Sequence, residues 1–361
     1  MPSGKETPRT TVVTLRTGTY EGFSTMRFEY YSDAIADLPK LSVDGTVDNA
    51  IHFSHWKGNE TPESVKADTS TETVLNVVAA PNRRDLTRNI DLVTNNHFDT
   101  DGILSVWTML TGERALSLRP KLIAAAEAGD FSEFSSVDGV RASIVIQGSD
   151  SPIDKSGSPL AAQLAGQAVN DEAQAYLLVL PHVEDVIANT DKYENLWRQQ
   201  WRRIETALDS FAKGASRVEE FTDVDLSLVT LAREIFGANG FDPTRDAAPF
   251  TPISHHAKGK LFLIATPLNG GWAYRIDYPY YSWAETVVRP PVPRRDLTLL
   301  LERLNELETG TAGKWQADSS ELASAAKFQG GGRLQSSELP PDEVVSQIRQ
   351  IFSESPATAG F

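Results

Sequence analysis

The chain contains no cysteine. This absence excludes disulfides, thiolate zinc sites, iron–sulfur clusters and a cysteine nucleophile, so any metal must be held by His, Asp, Glu or neutral oxygen donors. Long apolar runs are missing as well, since none approaches the roughly 18–20 residues of a membrane helix. The polar N-terminus has no apolar segment of a secretory signal. We therefore expect a cytoplasmic protein with no membrane partner.

Several common catalytic motifs are also absent. The sequence has no G-x-x-x-x-G-K-[ST], no G-x-G-x-x-G, no H-E-x-x-H and no G-x-S-x-G. Each motif places specific groups around a phosphate, a dinucleotide, a zinc ion or a nucleophilic serine. Their absence argues against a P-loop nucleotidase, a Rossmann dehydrogenase, a zincin and an α/β-hydrolase.

The charge balance is acidic, with 34 basic and 49 acidic side chains and a formal net charge of −15. A phosphate backbone needs a basic face, so we expect no long nucleic acid as partner and instead a small anionic molecule. The basic residues form two short clusters, which we interpret as solvent-exposed surface. These clusters are Arg198, Arg202 and Arg203, and Arg289, Arg294 and Arg295.

Hydrophobic periodicity predicts an α/β fold: a parallel-sheet N-terminal domain with a helical block, followed by a smaller α+β C-terminal domain. Residues 1–10 have the composition of a disordered tail. The α/β domain is predicted at 11–236, and helical patterning fills 160–236. A loop rich in Gly, Pro and Asp at 236–252 is the predicted boundary. Residues 253–361 form the predicted α+β domain, which we assign to substrate binding.

Local patterns predict the individual elements. Strands are expected twice within 11–31, and at 47–56, 89–95, 260–266, 271–283 and 285–290. Helices are expected after a capping box that ends at Glu72, just after Gly102, and in 294–308 and 340–352. Trp197 and Trp201 lie at helical spacing, which favours a place in the core over a homodimer face, although a homodimer remains an option.

The segment NNHFDTDG at residues 95–102 carries the strongest chemical signal. In an extended chain alternate side chains leave the same face, so His97, Asp99 and Asp101 would point one way. Carboxylates and an imidazole on one face favour a hard divalent cation between them. We therefore predict these three residues as metal ligands at the carboxyl end of a strand, with Asn96 beside them as a substrate-binding residue.

Structural roles compete with this interpretation. Asp101 is also a suitable helix N-cap, and Asp99 a residue that stabilises the same turn. His97 is equally compatible with a partly buried histidine whose hydrogen bonds are satisfied. A calcium-binding EF-hand loop is excluded, because the twelfth position from His97 is Thr108 and a strand precedes the segment.

A second candidate region follows the strand predicted at 47–56. We predict His55 as a catalytic acid or base or a further ligand, and Asp68 as a further metal ligand. Asn59 and Thr61 are predicted to hydrogen-bond a substrate. A turn followed by a capped helix explains the same residues without any chemistry.

The C-terminal half offers two more candidates. The pair His255–His256 follows the boundary loop, and His256 is a candidate catalytic residue, although an exposed pair is the simpler interpretation. In the segment FQGGGR, Gly331 and Gly332 let backbone N–H groups approach an anion, and Arg333 would contact it. A plain turn is the alternative.

The string HFDTDGILSVW resembles the first motif of the DHH phosphoesterase superfamily, H-x-D-x-D-G-x-x-S. The resemblance implies that Asp99 and Asp101 bind Mn²⁺ or Mg²⁺ at the end of a parallel strand. It makes Asp130 and Asp138 the candidates for a second-motif aspartate. The segment GGGRLQSS is similar to the glycine-rich substrate-binding region of that superfamily, but Arg333 stands in place of its histidine. There is no DHH string.

These observations lead to a metal-dependent hydrolase of a small phosphoester or another small anionic substrate. A metal-activated water would be the nucleophile. Two alternatives stay open. One is a metal-dependent biosynthetic enzyme that uses the DHH-like scaffold for bond formation or transfer, and the other is a binding protein with a degenerate site.

Overall fold

The structure, a computed structural model, describes residues 26–151, 157–233, 249–318 and 323–354. Within these residues it contains a four-stranded parallel sheet, a seven-stranded mixed sheet and twelve α-helices, which confirms the predicted α/β class. The predicted tail at 1–10, the first predicted strand and most of the boundary loop lie outside the described residues. Within the described part, no helix is long and apolar enough to cross a membrane.

The first sheet is built from short apolar segments. Its strands are β1 (Arg27–Phe28), β2 (Lys40–Val43), β3 (Ala50–Phe53) and β4 (Leu92–Thr94). They lie in the order β1-β4-β2-β3, and all three pairings are parallel. Parallel strands are usually covered on both faces, and every residue of β2 and β4 is buried. The strands expected at 47–56 and 89–95 are confirmed as β3 and β4.

Helices pack on this sheet and extend beyond it. They are α1 (Ser70–Ala79), α2 (Arg83–Thr87), α3 (Thr100–Thr111), α4 (Arg119–Phe131), α5 (Val137–Gln147), α6 (Pro159–Ala165), α7 (Glu172–Val179), α8 (Val183–Ala188) and α9 (Glu194–Ala212). The capping box is confirmed, because the Thr69 side chain accepts the Glu72 N–H at the start of α1. Trp197 and Trp201 are each 5% exposed, which confirms them as core residues.

The second sheet is mixed. Its strands are β5 (Arg217–Phe221), β6 (Leu226–Thr230), β7 (Leu261–Leu268), β8 (Gly271–Asp277), β9 (Lys314–Ala317), β10 (Ser324–Gly330) and β11 (Arg333–Leu334). The order is β11-β10-β8-β7-β6-β5, and β9 pairs with β10. Only β6 and β7 are parallel to each other. The helices of this region are α10 (Phe250–His256), α11 (Thr298–Leu307) and α12 (Pro341–Glu354).

Two predictions about elements are wrong. The helical block does not continue to residue 236, because α9 ends at Ala212 and the β-branched segment that follows forms β5 and β6. The second sheet therefore takes strands from both sides of the predicted boundary. The segment 285–290 is not a strand, because its backbone N–H groups donate to the Asp68 carboxylate instead of to a neighbouring strand.

Candidate metal centre

Acidic and histidine side chains converge where the strands of the first sheet end. They form two groups, and within each group one ligand atom per residue lies within 4.8 Å of the others. Asp44, His55, Asp101 and Asp130 make the inner group, and all four are buried. His97 and Asp99 make an outer group, again with Asp44. The carboxylate of Asp44 therefore belongs to both groups, as a bridging ligand between two cations would.

The parallel sheet explains this convergence, because all its carboxyl ends meet at one edge. Asp44 directly follows β2 and His55 comes two residues after β3, and Val43 and Phe53 are partners in the register of these strands. Asp44 lies in the left-handed region with φ 64°. Next to it a Cβ atom on Gly45 would lie 2.4 Å from Asn96 Oδ1, so a larger residue there would displace the Asn96 side chain.

The motif residues reach the site by a different geometry from the predicted one. β4 ends at Thr94, so His97, Asp99 and Asp101 do not alternate along a strand. The Asn95 side chain accepts the His97 N–H and turns the chain. Asp99 is then the N-cap of α3, where it accepts the Gly102 N–H. Asp101 lies in the first helical turn, and so it joins the inner group while His97 and Asp99 form the outer one.

Both histidines present the same ring nitrogen to the carboxylates. His55 Nδ1 lies 2.7 Å from the Asp68 carbonyl oxygen, and His97 Nδ1 lies 3.0 Å from Asn96 Oδ1. These oxygens can only accept, so Nδ1 carries the proton and Nε2 faces the cluster. This is the arrangement that orients a metal-binding histidine. The Asn96 side chain therefore orients His97, and its predicted contact with substrate stays a prediction.

The distances within the cluster are short. His55 Nε2 lies 3.1 Å from Asp130 Oδ2, 3.5 Å from Asp44 Oδ1 and 3.7 Å from Asp101 Oδ2. In the outer group, His97 Nε2 lies 2.8 Å from Asp44 Oδ2 and 3.1 Å from Asp99 Oδ2. A divalent cation with ligand bonds of about 2.0–2.2 Å fits between atoms at such separations after small shifts.

Several of these atoms have no hydrogen-bond partner. Asp44 Oδ2, His55 Nε2, His97 Nε2 and Asp130 Oδ2 are buried, and their contacts with each other do not have hydrogen-bond geometry. Buried polar atoms in native proteins are nearly always bonded, so unpartnered ones require an explanation. Two cations, one in each donor group, would satisfy these atoms.

The remaining carboxylate oxygens are held by the start of α1. The two oxygens of Asp101 accept the N–H groups of Ser70 and Thr71, each at 2.7 Å. Asp44 Oδ1 accepts the Ser70 hydroxyl at 2.9 Å. A helix N-terminus stabilises negative charge, and such bonds fix the orientation of ligating carboxylates.

The pKa values of the clustered side chains also reflect the crowding of negative charge. Burial, followed by the charge of Asp44, raises the pKa of Asp101 to about 7. Burial, followed by the charges of Asp99 and Asp101, raises the pKa of Asp130 well above its usual value. Burial alone would lower the pKa of His55, but the close carboxylate of Asp130 and the charges of Asp101 and Asp44 outweigh burial and raise the pKa to about 10. Protons therefore occupy the cluster when no cation does.

A cavity of about 350 Å³ opens onto the cluster. His97, Asp99 and Asp130 form part of its wall, and Asp171 and Glu172 at the start of α7 form another part. No Lys or Arg lines it among the residues that the structure describes. An anionic substrate in this cavity would thus depend on bound cations for its positive counter-charge.

Asp68 lies outside the cluster, although it was a predicted ligand. Its carboxylate accepts three backbone N–H groups from residues 287–289 and pairs with Arg289 at 2.8 Å. Arg289 also pairs with Glu127 at 2.7 Å, and its side chain is only 19% exposed. It is therefore not the exposed surface residue that the charge pattern indicated. His55, predicted as a catalytic residue or a ligand, stands among the ligand atoms.

The other predicted site residues also have structural partners. The Asn59 amide donates to Glu285 at 2.9 Å, and the Thr61 hydroxyl bonds the backbone of Ser54. His256 lies near the end of α10, stacked on Phe211 at 4.3 Å between ring centroids. Gly331 and Gly332 form the two-residue turn between β10 and β11, both with positive φ, and Arg333 follows in β11. Gly331, Gly332 and Arg333 thus belong to the second sheet, whereas the cluster lies at the edge of the first.

Two ligand candidates needed the structure. Asp44 is a single aspartate after a short apolar segment, and only its place at a strand end signals it. Asp130 comes from the end of α4, where only the DHH resemblance had suggested it. Neither residue shares a spacing with the motif at residues 95–102.

The chain belongs to DUF6687, a family of unknown function, which matches it over residues 24–359. No curated protein matches the chain. No solved structure matches it either.

Proposed function

We propose that this chain is a metal-dependent hydrolase with two divalent cations at the edge of its parallel sheet. The observation that carries the proposal is the pair of donor groups that share Asp44. Asp44, His55, Asp101 and Asp130 would hold one cation, and Asp44, His97 and Asp99 the other. A cation held this way lowers the pKa of a bound water and stabilises charge on the attacked centre.

In this proposal, other backbone and side-chain groups of the chain orient the metal ligands. The Asp68 carbonyl oxygen and the Asn96 amide orient the imidazoles, and the N-terminus of α1 orients Asp101. The donor set of carboxylate oxygens with a single imidazole for each cation suits Mn²⁺ or Mg²⁺ better than a thiophilic metal. The cavity beside His97 and Asp99 would admit a small substrate.

We propose a small phosphoester as the substrate class, and a divergent relationship to the DHH phosphoesterases. The likeness of residues 97–105 to the first DHH motif supports both ideas, and so does the placement of His97, Asp99 and Asp101 at the end of a parallel strand. We also propose two domains that divide between α9 and β5, because each sheet has its own apolar core.

The decisive experiment measures metal binding on the full chain. Mn²⁺, Mg²⁺, Zn²⁺, Co²⁺, Fe²⁺ and Ca²⁺ are compared by thermal shift for the wild type and for Asp99→Asn/Asp101→Asn. A ligand that binds only the folded state raises the melting temperature. We expect a rise of several degrees with Mn²⁺ or Mg²⁺ in the wild type, and none in the double variant. Asp138→Asn is the matched control, because Asp138 is exposed and belongs to neither donor group.

The same series separates the alternatives. Bound metal together with hydrolysis of a phosphomonoester or phosphodiester panel supports the proposal. Bound metal without any hydrolysis across the panel favours the biosynthetic enzyme. The proposal is contradicted if the wild type shows no metal by elemental analysis and no thermal shift. That result favours a binding protein.

A further inference from the structure

A second and larger cavity lies beside the metal centre. Its volume is about 660 Å³, and it lies between the segment after β3 and the C-terminal elements. Trp56 and Trp283 form one wall, with their ring centroids 4.6 Å apart. On the other side of this pair, Trp56 packs against the His97 ring, with 5.4 Å between ring centroids. Trp283 packs against the His55 ring, with 5.0 Å between centroids. The two indoles therefore separate this cavity from the metal ligands.

Positive charge prevails in this second cavity. Lys57, Arg294 and Arg295 line it, together with Asp296 and Asp318. Both acids are engaged elsewhere. Asp296 accepts the N–H and the hydroxyl of Thr298 at the start of α11, and Asp318 pairs with Lys327. Three basic and two acidic side chains thus give the described wall of this cavity a net positive charge. The cavity beside the candidate metal centre has four acidic side chains in its wall and no Lys or Arg among the described residues.

The wall of the second cavity also contains unpartnered polar atoms. Trp56 Nε1, Trp283 Nε1, Arg295 Nη1 and Ser324 Oγ are buried and have no hydrogen-bond partner within the described ranges. Trp283 and Ser324 are 7% and 6% exposed. All four groups can donate a proton, and a buried donor without a partner is unfavourable. Four such donors in one cavity wall match a ligand that is rich in acceptor oxygens.

Aromatic surface completes the cavity. Tyr278 lines it beside the two tryptophans, and the Arg294 guanidinium lies 4.3 Å from the Tyr278 ring centroid. The Arg295 guanidinium lies 4.3 Å from the Phe352 ring centroid, and this contact orients it. Flat apolar groups pack well against indole and phenol rings. The wall therefore combines a surface for a ring with donors for an anion.

From this combination we infer that the second cavity binds a small molecule that carries a phosphate, phosphonate or carboxylate group on a flat ring. The anionic group lies against Arg295, Lys57 and the Ser324 hydroxyl, and the ring lies against Trp56 and Trp283. Binding here does not depend on the proposed metal centre, because none of the ligand residues lines this cavity.

The test uses the full chain in EDTA, so that failure here and failure of the metal proposal are distinguishable. Phenylphosphonate, inorganic phosphate and benzyl alcohol are titrated while tryptophan fluorescence and the melting temperature are followed. Phenylphosphonate is expected to change the fluorescence, since two indoles line the cavity, and to raise the melting temperature. Phosphate should bind more weakly, and benzyl alcohol should bind least.

Variants locate the binding. Arg295→Gln should raise the dissociation constant for phenylphosphonate about tenfold, because a charge-assisted hydrogen bond is lost. Ser324→Ala should weaken binding about threefold and leave the melting temperature of the free protein unchanged, because the hydroxyl has no partner to lose. Arg349→Gln is the matched control, because Arg349 also lies over a phenylalanine ring but pairs with Asp223 outside the cavity.

Three results would overturn the inference. The first is that phenylphosphonate leaves both signals unchanged. The second is that Arg295→Gln and Arg349→Gln bind it equally well. The third is that binding requires added metal and disappears in Asp44→Asn, which would place the anion on the cations and not in the second cavity. Equal binding of phosphate and phenylphosphonate would overturn the role assigned to the ring.

Discussion

The two sheets differ in the partners that they give to buried carboxylates. In the second sheet, Asp277 at the end of β8 is 2% exposed and pairs with Arg275 on the same strand at 2.8 Å. At the edge of the first sheet, Asp44, Asp101 and Asp130 are equally buried, and their only ion pairs within the described residues are with histidines. One site is neutralised by a permanent cation of the chain, and the other by protons or by an added cation.

The topology of each sheet accounts for this difference. Antiparallel strands place their carboxyl ends at alternate edges, so polar residues at strand ends are scattered in most of the second sheet. Parallel strands place all of them at one edge, which brings Asp44, His55 and the residues after β4 together. This arrangement brings like charges together at one edge, and a divalent cation bound there would neutralise them.

We expect the largest effect when the buried ion pair between Arg275 and Asp277 is broken. Arg275→Met leaves Asp277 buried without its cation, and we expect a loss of about 3–5 kcal/mol in the free energy of unfolding. Urea denaturation measures this loss. Arg303→Met, at an exposed position on α11, is the matched control with little expected change. A loss below about 1 kcal/mol would contradict the contrast between the two sites.

The next prediction concerns the shared ligand. Asp44→Asn should remove both cations, whereas Asp99→Asn should remove only the outer one, so elemental analysis should find close to none and close to one per chain. At a concentration 100 times the dissociation constant, a bound cation stabilises the fold by about 2.7 kcal/mol, and Asp44→Asn should lose this gain. Equal metal content in the two variants would show that Asp44 does not bridge.

A smaller effect appears in the pH dependence of the metal-free chain. The folded pKa of Asp101 is raised to about 7 and that of His55 to about 10, so the folded state binds more protons than the unfolded state. Stability should therefore fall as the pH rises from 6 to 8, by on the order of 1–2 kcal/mol per pH unit, because each excess proton contributes about 1.4 kcal/mol per pH unit. Chemical denaturation in EDTA at several pH values measures this slope.

Asp101→Asn is the control for that slope. It removes one raised carboxyl pKa, so the fall in stability between pH 6 and 8 should become shallower. Saturating metal should reverse the trend in the wild type, because cation binding requires deprotonated ligands. A metal-free wild type that gains stability over this pH range would contradict the assignment of excess protons to the cluster.

The smallest expected effect tests the predicted glycine-rich anion site. Gly332→Ala places a side chain at φ +75° in the turn between β10 and β11, and we expect a loss of about 1 kcal/mol. Metal binding and phenylphosphonate binding should not change. Weaker binding of either would restore the glycine-rich segment as a substrate-binding region.

Local elements were predictable where the signal lies within a few residues. The Thr69 capping box, the strands β3 and β4 and the helix after Gly102 follow from spacing and composition alone. The irregular conformation of residues 285–290 was not predictable in this way. Their backbone N–H groups donate to Asp68, which lies more than 200 residues earlier in the chain. The helical interpretation of residues 217–230 failed for a related reason, since β6 pairs with β7, which comes about 30 residues later in the chain, and β5 pairs with β6.

The candidate site divides in the same manner. The sequence by itself determined that no cysteine could serve, that the class is α/β, and that His97, Asp99 and Asp101 are close in the chain at the end of a strand. Only the tertiary structure decided that Asp44 joins the two donor groups, that Asp130 reaches them from α4, and that Asp68 is bonded to Arg289 instead. The reason is physical: spacing fixes neighbours along one element, whereas ligation depends on side-chain directions at the ends of several elements, which packing sets.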